Sequence, residues 1–363
     1  VADPLWNVVT ARMGDAGWAA LRLTNAERDS LRALASAVTS DPYREFSSFR
    51  AAAREGWLCL LSRTRVAVGE FAGGVSARPE LYIENLPCPA DLPPTPVHAG
   101  EHRPTCDTLG EYVMTVFSCG LGCPISYLDQ RDGRIFHDVY PTYENAGAVS
   151  SHSSRVGLGF HTEMFFHPAP PDYVMLHCLR SDPRQMAGTW VAAAADIELS
   201  LCPRDRMTLR QPRFALDLAH LHGRYRHRGN PIQETDPRPV IPVLADQRST
   251  GFRFEPALMT PLDAQAEHSM CLAEQAAERC AARGKLREGG LLLIDNRRAA
   301  HARTAFPARF DGADRWLRRM MLARSASPAS DVVRYRHNLE LIDPWRATGA
   351  VLQEVSYPLR SGR

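Results

Sequence analysis

From Asp172 onward the chain is cut into short apolar pieces. "DYVMLHCL", "GTWVAAAADIEL", "RFALDLAH", "PVIPVLA", "LLLI" and "DRWLRRMMLAR" follow one another with turn residues between them. Short strands at this spacing favour an all-β sandwich or barrel core. Helical patterns frame that core. "LTNAERDSLRALASAVTS" starts with Thr24 and Glu27 at capping-box spacing and then places Leu31, Leu34, Ala35 and Val38 on one helical face. "SSFRAAAREG" predicts a shorter helix ending at Gly56, and "DTLGEYVMTVFSCGLGCPISYL" a buried helix running into a turn. The one long amphipathic helix is expected from Leu262 to Gly284, with Gly284 as its stop. "LYIENLP" and "GRIFHDVYPT" read as strands, and the Pro-rich stretch Pro87 to Thr105 as irregular. With 44% hydrophobic and 23% charged residues, the 363-residue chain has ordinary globular composition and enough length for a sizeable core. The expectation is one domain, residues 1–363. Its helical segment at about 1–80 packs on the β core, and a helical insertion spans about 262–285.

Charge selects no macromolecular partner. The net charge is +2, the basic residues are almost all arginine with Lys285 the one lysine, and no basic stripe appears, so no nucleic acid is expected. Nine cysteines without a CxxC pair indicate neither a disulfide framework nor a zinc ribbon; they read as mostly buried thiols in a reducing cytoplasm. No apolar run approaches the ~18 residues of a membrane span, and the first residues carry acids where a signal peptide carries bases. A soluble cytoplasmic protein is expected, and oligomeric state is not legible.

Chemistry concentrates in "GLGFHTEMFFHPAPP", directly after the Gly/Ser-rich loop Tyr143 to Gly159. On a strand, His161 and Glu163 would point to one side, about 6 to 7 Å of backbone apart. That is chelate spacing. Closed by a distant late histidine, the pair makes a two-His-one-carboxylate triad, which leaves metal positions open. By spacing alone an exposed polar pair fits equally well. His167 has the same strand parity but precedes a proline turn, and reads as a polar residue at a strand end rather than a ligand. His152 and His177 read as satisfied or exposed histidines.

The run "GFHTEMFFH", then "DYVMLHCLR", then His301 and "FPARFDGADRWLRRM", resembles the clavaminate-synthase-like branch of the iron(II)/2-oxoglutarate dioxygenases over roughly Tyr82 to Arg324. The resemblance implies an α+β fold with a double-stranded β-helix (jelly-roll) core and flanking helices. It implies iron ligands at His161, Glu163 and His301. It also places the 2-oxoglutarate arginine at Arg315, fourteen residues beyond His301, with Thr189 assisting. The physical logic agrees, since a guanidinium is a flat fork that fits a carboxylate and keeps its charge.

By the same resemblance, the amino-acid end of the substrate is held by Gln130, Ser151 and Arg319. The side-chain end departs from the pattern. Arginine hydroxylases use an acidic pair before the long helix, whereas "STGFRFEPALM" offers Glu255 with Arg253 two positions earlier. Glu255 alone favours a cationic or cyclic amino acid, and a solvated Glu255–Arg253 pair is the plain alternative. The implied function is hydroxylation of an unactivated C–H of a free basic or cyclic amino acid in natural-product biosynthesis. Iron(II), 2-oxoglutarate and O2 are the cofactors, and the Tyr143 to Gly159 loop closes over the site. Two other readings stay open: a taurine-like catabolic dioxygenase of a small acid, and a zinc hydrolase using His161, Glu163 and His167, for which neither HExxH nor a metzincin pattern is present.

Overall fold

Leu291, Leu292, Leu293 and Ile294 are all fully buried, which a strand achieves only when both of its faces are covered. The computed structural model describes residues 17–100, 107–127, 133–167, 170–216, 226–227, 230–231, 238–244, 251–324, 332–334 and 340–342. Its helices are α1 (Asn25–Ala37), α2 (Phe46–Cys59), α3 (Ser62–Gly73), α4 (Leu109–Leu121), α5 (Ala194–Leu199), α6 (Pro203–Leu209) and α7 (Ala264–Cys280). Its strands run from β1 (Ala20–Arg22), β2 (Glu80–Glu84), β3 (Cys123–Tyr127), β4 (His137–Val139), β5 (Leu158–His161) and β6 (Tyr173–Arg180) to β7 (Thr189–Ala193), β8 (Phe214–Leu216) and β9 (Arg226–His227). They continue with β10 (Asn230–Pro231), β11 (Val240–Ile241), β12 (Met259–Pro261), β13 (Ala282–Gly284), β14 (Leu291–Asp295), β15 (Ala299–Arg303), β16 (Trp316–Ala323), β17 (Val332–Arg334) and β18 (Glu340–Ile342). The fold is α+β.

Two sheets face each other. The larger has the order β1-β2-β14-β6-β16-β3-β18-β17, with β4 also on β16; the smaller is β13-β7-β15-β5. Val174, Leu176, Cys178, Leu292, Ile294 and Leu317 of the larger sheet meet Val191, Ala282 and Ala299 of the smaller in one core. The alternate residues Tyr173, Met175, Leu291, Leu293, Met320 and Leu322 turn outward and are covered by α1 to α4. On the far side Ala192, Ala300 and Ala302 pack with Ala266, Ala273 and Ala277 of α7. The period-2 alternation of each strand therefore feeds two different cores.

Several local expectations hold. Thr24 and Glu27 form a reciprocal capping box at the start of α1. Glu27 also accepts from Leu61 N–H and Thr64 Oγ1 (3.0 and 2.8 Å), tying α1 to α3. Others need correction. α2 runs past Gly56 to Cys59, because Gly56 is an interface residue: a Cβ there would lie 2.7 Å from Tyr112 Oη on α4. α7 ends at Cys280 and Gly284 sits in β13, where a Cβ would collide with the Trp18 ring at 2.7 Å. The second half of "GTWVAAAADIEL" is helix α5 rather than strand. Of the eight described cysteines only Cys178 is fully buried; Cys59, Cys202 and Cys271 are exposed on helix surfaces or caps, and all eight are free. No helix among the described residues is long and apolar enough to cross a membrane.

Candidate active site

β5 and β15 lie side by side in the smaller sheet, and His161 and His301 are direct cross-strand partners. Their rings lie 4.2 Å apart between centroids. Two residues further on, Arg303 pairs with Leu158 rather than Gly159, so β5 carries one extra residue beside the site. Such a bulge re-aims neighbouring side chains. Here it brings the Gly159 carbonyl to His161 Nδ1 at 2.9 Å. Nδ1–H is then the donor, and Nε2 is left as the ligand atom.

Glu163 is not on the strand. β5 ends at His161, and Glu163 lies in the turn that follows, where Met164 takes φ +53°. Its placement comes from Asn296, in the turn between β14 and β15. Glu163 N–H donates to Asn296 Oδ1 (2.7 Å), and Asn296 Nδ2 donates to Glu163 O (3.1 Å) and Pro171 O (2.9 Å). Thr162 adds a second pin, donating through N–H to Phe254 O and accepting at Oγ1 from Phe254 N–H. The outcome is the convergence expected from the sequence, by a different local route. One donor atom each from His161, Glu163 and His301 lies within 4.8 Å of the others.

Two imidazoles and one carboxylate so placed fit a divalent transition metal that keeps open positions. His301 is buried, with Nδ1 unpartnered among the described residues, and burial, together with the charges of His161 and Arg319, holds its pKa well below the ordinary value. A neutral imidazole is the form that ligates. His167 does not join them. It is buried in the turn after Glu163, edge-on to the Tyr127 ring at 4.6 Å, rather than at the strand end, since β5 stops at His161. His152 is satisfied, with Nδ1 at 2.7 Å from Tyr140 O. His177 is neither satisfied nor exposed: both ring nitrogens are buried without a partner among the described residues, and burial pushes its pKa down to about 3.

The larger sheet contributes arginines. Arg315, just before β16, is buried, and its one side-chain hydrogen bond among the described residues runs from Nη2 to Thr189 Oγ1 at 3.5 Å. Among the described residues it forms no ion pair with a carboxylate, and burial lowers its pKa to about 10 against the smaller opposing pull of Cys178 and Asp182. An unpaired buried guanidinium is costly and calls for an anion. Arg319 projects from β16, Nη1 to Glu163 Oε1 at 2.6 Å and Nη2 to His137 Nδ1 at 2.8 Å. His137 Nε2 is 2.7 Å from Arg134 O, so Nε2–H donates there and Nδ1 accepts from Arg319. Sequence reasoning singled out neither His137 nor Asn296. For His137 the signal was available in the alternation of "GRIFHDV", which puts it on a buried strand face.

Glu255 is 8% exposed and its carboxylate has no hydrogen-bond partner among the described residues. Burial raises its pKa to about 7; the neighbouring His161 opposes the rise, and Glu163 and Glu274 add to it. Those neighbours place it beside the triad. Arg253 donates instead to Phe165 O at 3.0 Å. Ser151 lies half-exposed in the loop before β5 with no side-chain hydrogen bond among the described residues, and Gln130 falls outside them.

Comparison with known proteins finds likenesses over most of the chain. Residues 96–321 match the family model described as taurine catabolism dioxygenase TauD, TfdA family. An L-lysine 3-hydroxylase from Catenulispora acidiphila is 32% identical over 312 residues, covering 85% of each protein. Clavaminate synthase 2 from Streptomyces clavuligerus is 30% identical over 298 residues, 81% of this chain and 89% of that protein. The solved structure of asparagine oxygenase with Fe(II), 2S,3S-3-hydroxyasparagine and succinate superposes with a TM-score of 0.77 at 26% identity, covering 89% of this chain and 99% of that one.

Proposed function

The chain belongs to the TauD/TfdA family of dioxygenases, and on that premise we propose that it hydroxylates an unactivated C–H of a free amino acid with a cationic or cyclic side chain. It is an iron(II)- and 2-oxoglutarate-dependent oxygenase of the clavaminate-synthase-like branch. Iron(II) at His161, Glu163 and His301 would supply the oxidative step, in which 2-oxoglutarate and O2 become succinate and CO2 and one oxygen atom enters the substrate.

The residues of the chain do the rest. Arg315, with Thr189 Oγ1 beside it, takes the distal carboxylate of 2-oxoglutarate, and the buried guanidinium gains its missing counter-charge. Arg319 takes the α-carboxylate of the amino acid, oriented from behind by His137, with Ser151 and Gln130 as further contacts. Glu255 receives the cationic end. The observation that carries the substrate class is this buried, unpartnered carboxylate beside the triad. The relative named as a lysine 3-hydroxylase supports it.

The two facing, mainly antiparallel sheets support a double-stranded β-helix (jelly-roll) core in one domain spanning residues 1–363. Free thiols throughout the described residues support a reducing cytoplasm. Natural-product biosynthesis is the setting that clavaminate synthase 2 suggests. The test is a panel of free amino acids incubated with iron(II), 2-oxoglutarate and oxygen, and screened by mass for gain of one oxygen atom. Basic or cyclic members should react, and Glu255→Gln should abolish their turnover. Zinc-dependent hydrolysis, or turnover of a small sulfonate with every amino acid inert, would overturn the reading.

A further inference from the structure

Arg303 has no part in the reaction described above, yet it stands two residues beyond His301 on the same face of β15, directly across from Thr189. It is buried, and all its acceptors are neutral. Nη2 donates to Ser153 Oγ (2.6 Å) and Val156 O (3.1 Å), Nη1 donates to Thr304 O (3.0 Å), and Nε is buried without a partner among the described residues. The guanidinium lies over the Phe306 ring at 5.2 Å, and Phe306 N–H donates to Ser154 O at 2.8 Å.

The two Nη2 contacts, and the Phe306 N–H bond beside them, end on one segment, the loop from Thr142 to Gly157. That loop is packed rather than splayed: Thr142, Ser153 and Ser154 are essentially inaccessible. Thr142 N–H donates to His152 O, and Ser154 and Arg155 N–H both donate to Ala146 O. Its tether to the sheet is built at Arg303, opposite the β5 bulge. A buried charge is spent on holding a loop, at a point adjoining the Arg315 and Thr189 pair.

We infer that Arg303 is a positioning residue. It latches the Thr142 to Gly157 loop, which bears Ser151, onto the strand of His301, and so couples cleavage of 2-oxoglutarate to a seated amino acid. The inference rests on the function proposed above for the same site. A loop that completes a site and excludes water commits the bound cosubstrate to the productive reaction. Released from Arg303, the loop should admit water and leave the amino acid loosely held, so that 2-oxoglutarate is spent without product.

The experiment measures succinate formed per hydroxylated amino acid, and amide hydrogen exchange over residues 142–157 with iron(II) and 2-oxoglutarate present. The variants are Arg303→Met, Arg303→Lys and Ser153→Ala. Arg303→Met should raise succinate per product several-fold and speed exchange in the loop, with a smaller rise in the 2-oxoglutarate KM than Arg315→Met gives. Ser153→Ala should move both readouts the same way but less, and Arg303→Lys should restore part of the coupling. Unchanged coupling and unchanged loop exchange in Arg303→Met would overturn the inference, whatever the loss of stability. So would a KM effect equal to that of Arg315→Met with coupling intact, which would make Arg303 a cosubstrate ligand. If the wild type hydroxylates no amino acid, the proposed substrate class fails, while the exchange measurement still reports on the latch.

Discussion

Asn296 shows how much of a metal site rests on groups that touch no metal. It grips the Glu163 backbone from both sides, and outer groups of this kind are worth about 10- to 100-fold in metal affinity. Asn296→Ala should therefore weaken iron(II) binding by about that factor, read by calorimetry or by the iron dependence of turnover. His301→Ala removes one of the three proposed ligands, so iron-dependent decarboxylation of 2-oxoglutarate should be lost; full turnover would disprove the triad. Arg315→Met should instead raise the 2-oxoglutarate KM by about 10- to 100-fold, the worth of charged hydrogen bonds to one carboxylate. His161 and Glu163 were legible as a pair two residues apart. Asn296 was not, since its partner lies 133 residues away and nothing local marks it.

At the scale of the element, β16 sets two adjacent arginines to opposite tasks. Arg319 faces the site, while Arg318 turns to the helical layer, fully buried between Glu111 of α4 (2.7 Å) and Asp138 of β4 (2.9 Å). Burial alone would lower the Arg318 pKa, but Asp138 and Glu111 raise it above the ordinary arginine value. Breaking a buried ion pair costs about 3 to 5 kcal/mol. Arg318→Met, which takes the cation from between two carboxylates, should show a loss of that order in urea unfolding, whereas Arg319→Met, which takes it from Glu163 alone, should cost less and raise the amino-acid KM. Equal destabilisation by both would contradict the assignment of faces. The strand itself was readable from "RWLRRMMLA", and alternation told that the two arginines part. Which one faces the site depends on which sheet face is paired with the smaller sheet.

Over the whole molecule, the helices before residue 80 cover the outer face of the same strands whose inner face packs on the smaller sheet. One cooperative unfolding transition is therefore expected, and iron(II) with 2-oxoglutarate at a hundredfold excess over Kd should stabilise it by about 2.7 kcal/mol. Calorimetry showing a separate ligand-insensitive transition would divide the chain into two units. The capping box, most strands and the spacing of the His161 and Glu163 pair were written locally, because propensity and side-chain periodicity act over a few residues, whereas the fold class and the late histidine came with the family resemblance. The ends of α2 and α7 were not, since Gly56 and Gly284 answer to Tyr112 and Trp18 rather than to their own helices. The sequence by itself marked His161 and Glu163 as a candidate chelating pair and carried the family resemblance that adds His301. Only the tertiary structure decided that His161 stands opposite His301 beside a bulge, that Glu163 reaches them from a turn, and that Arg303 holds the loop. Each depends on the register of hydrogen-bond ladders and contacts between segments some 130 to 150 residues apart, which no local preference encodes.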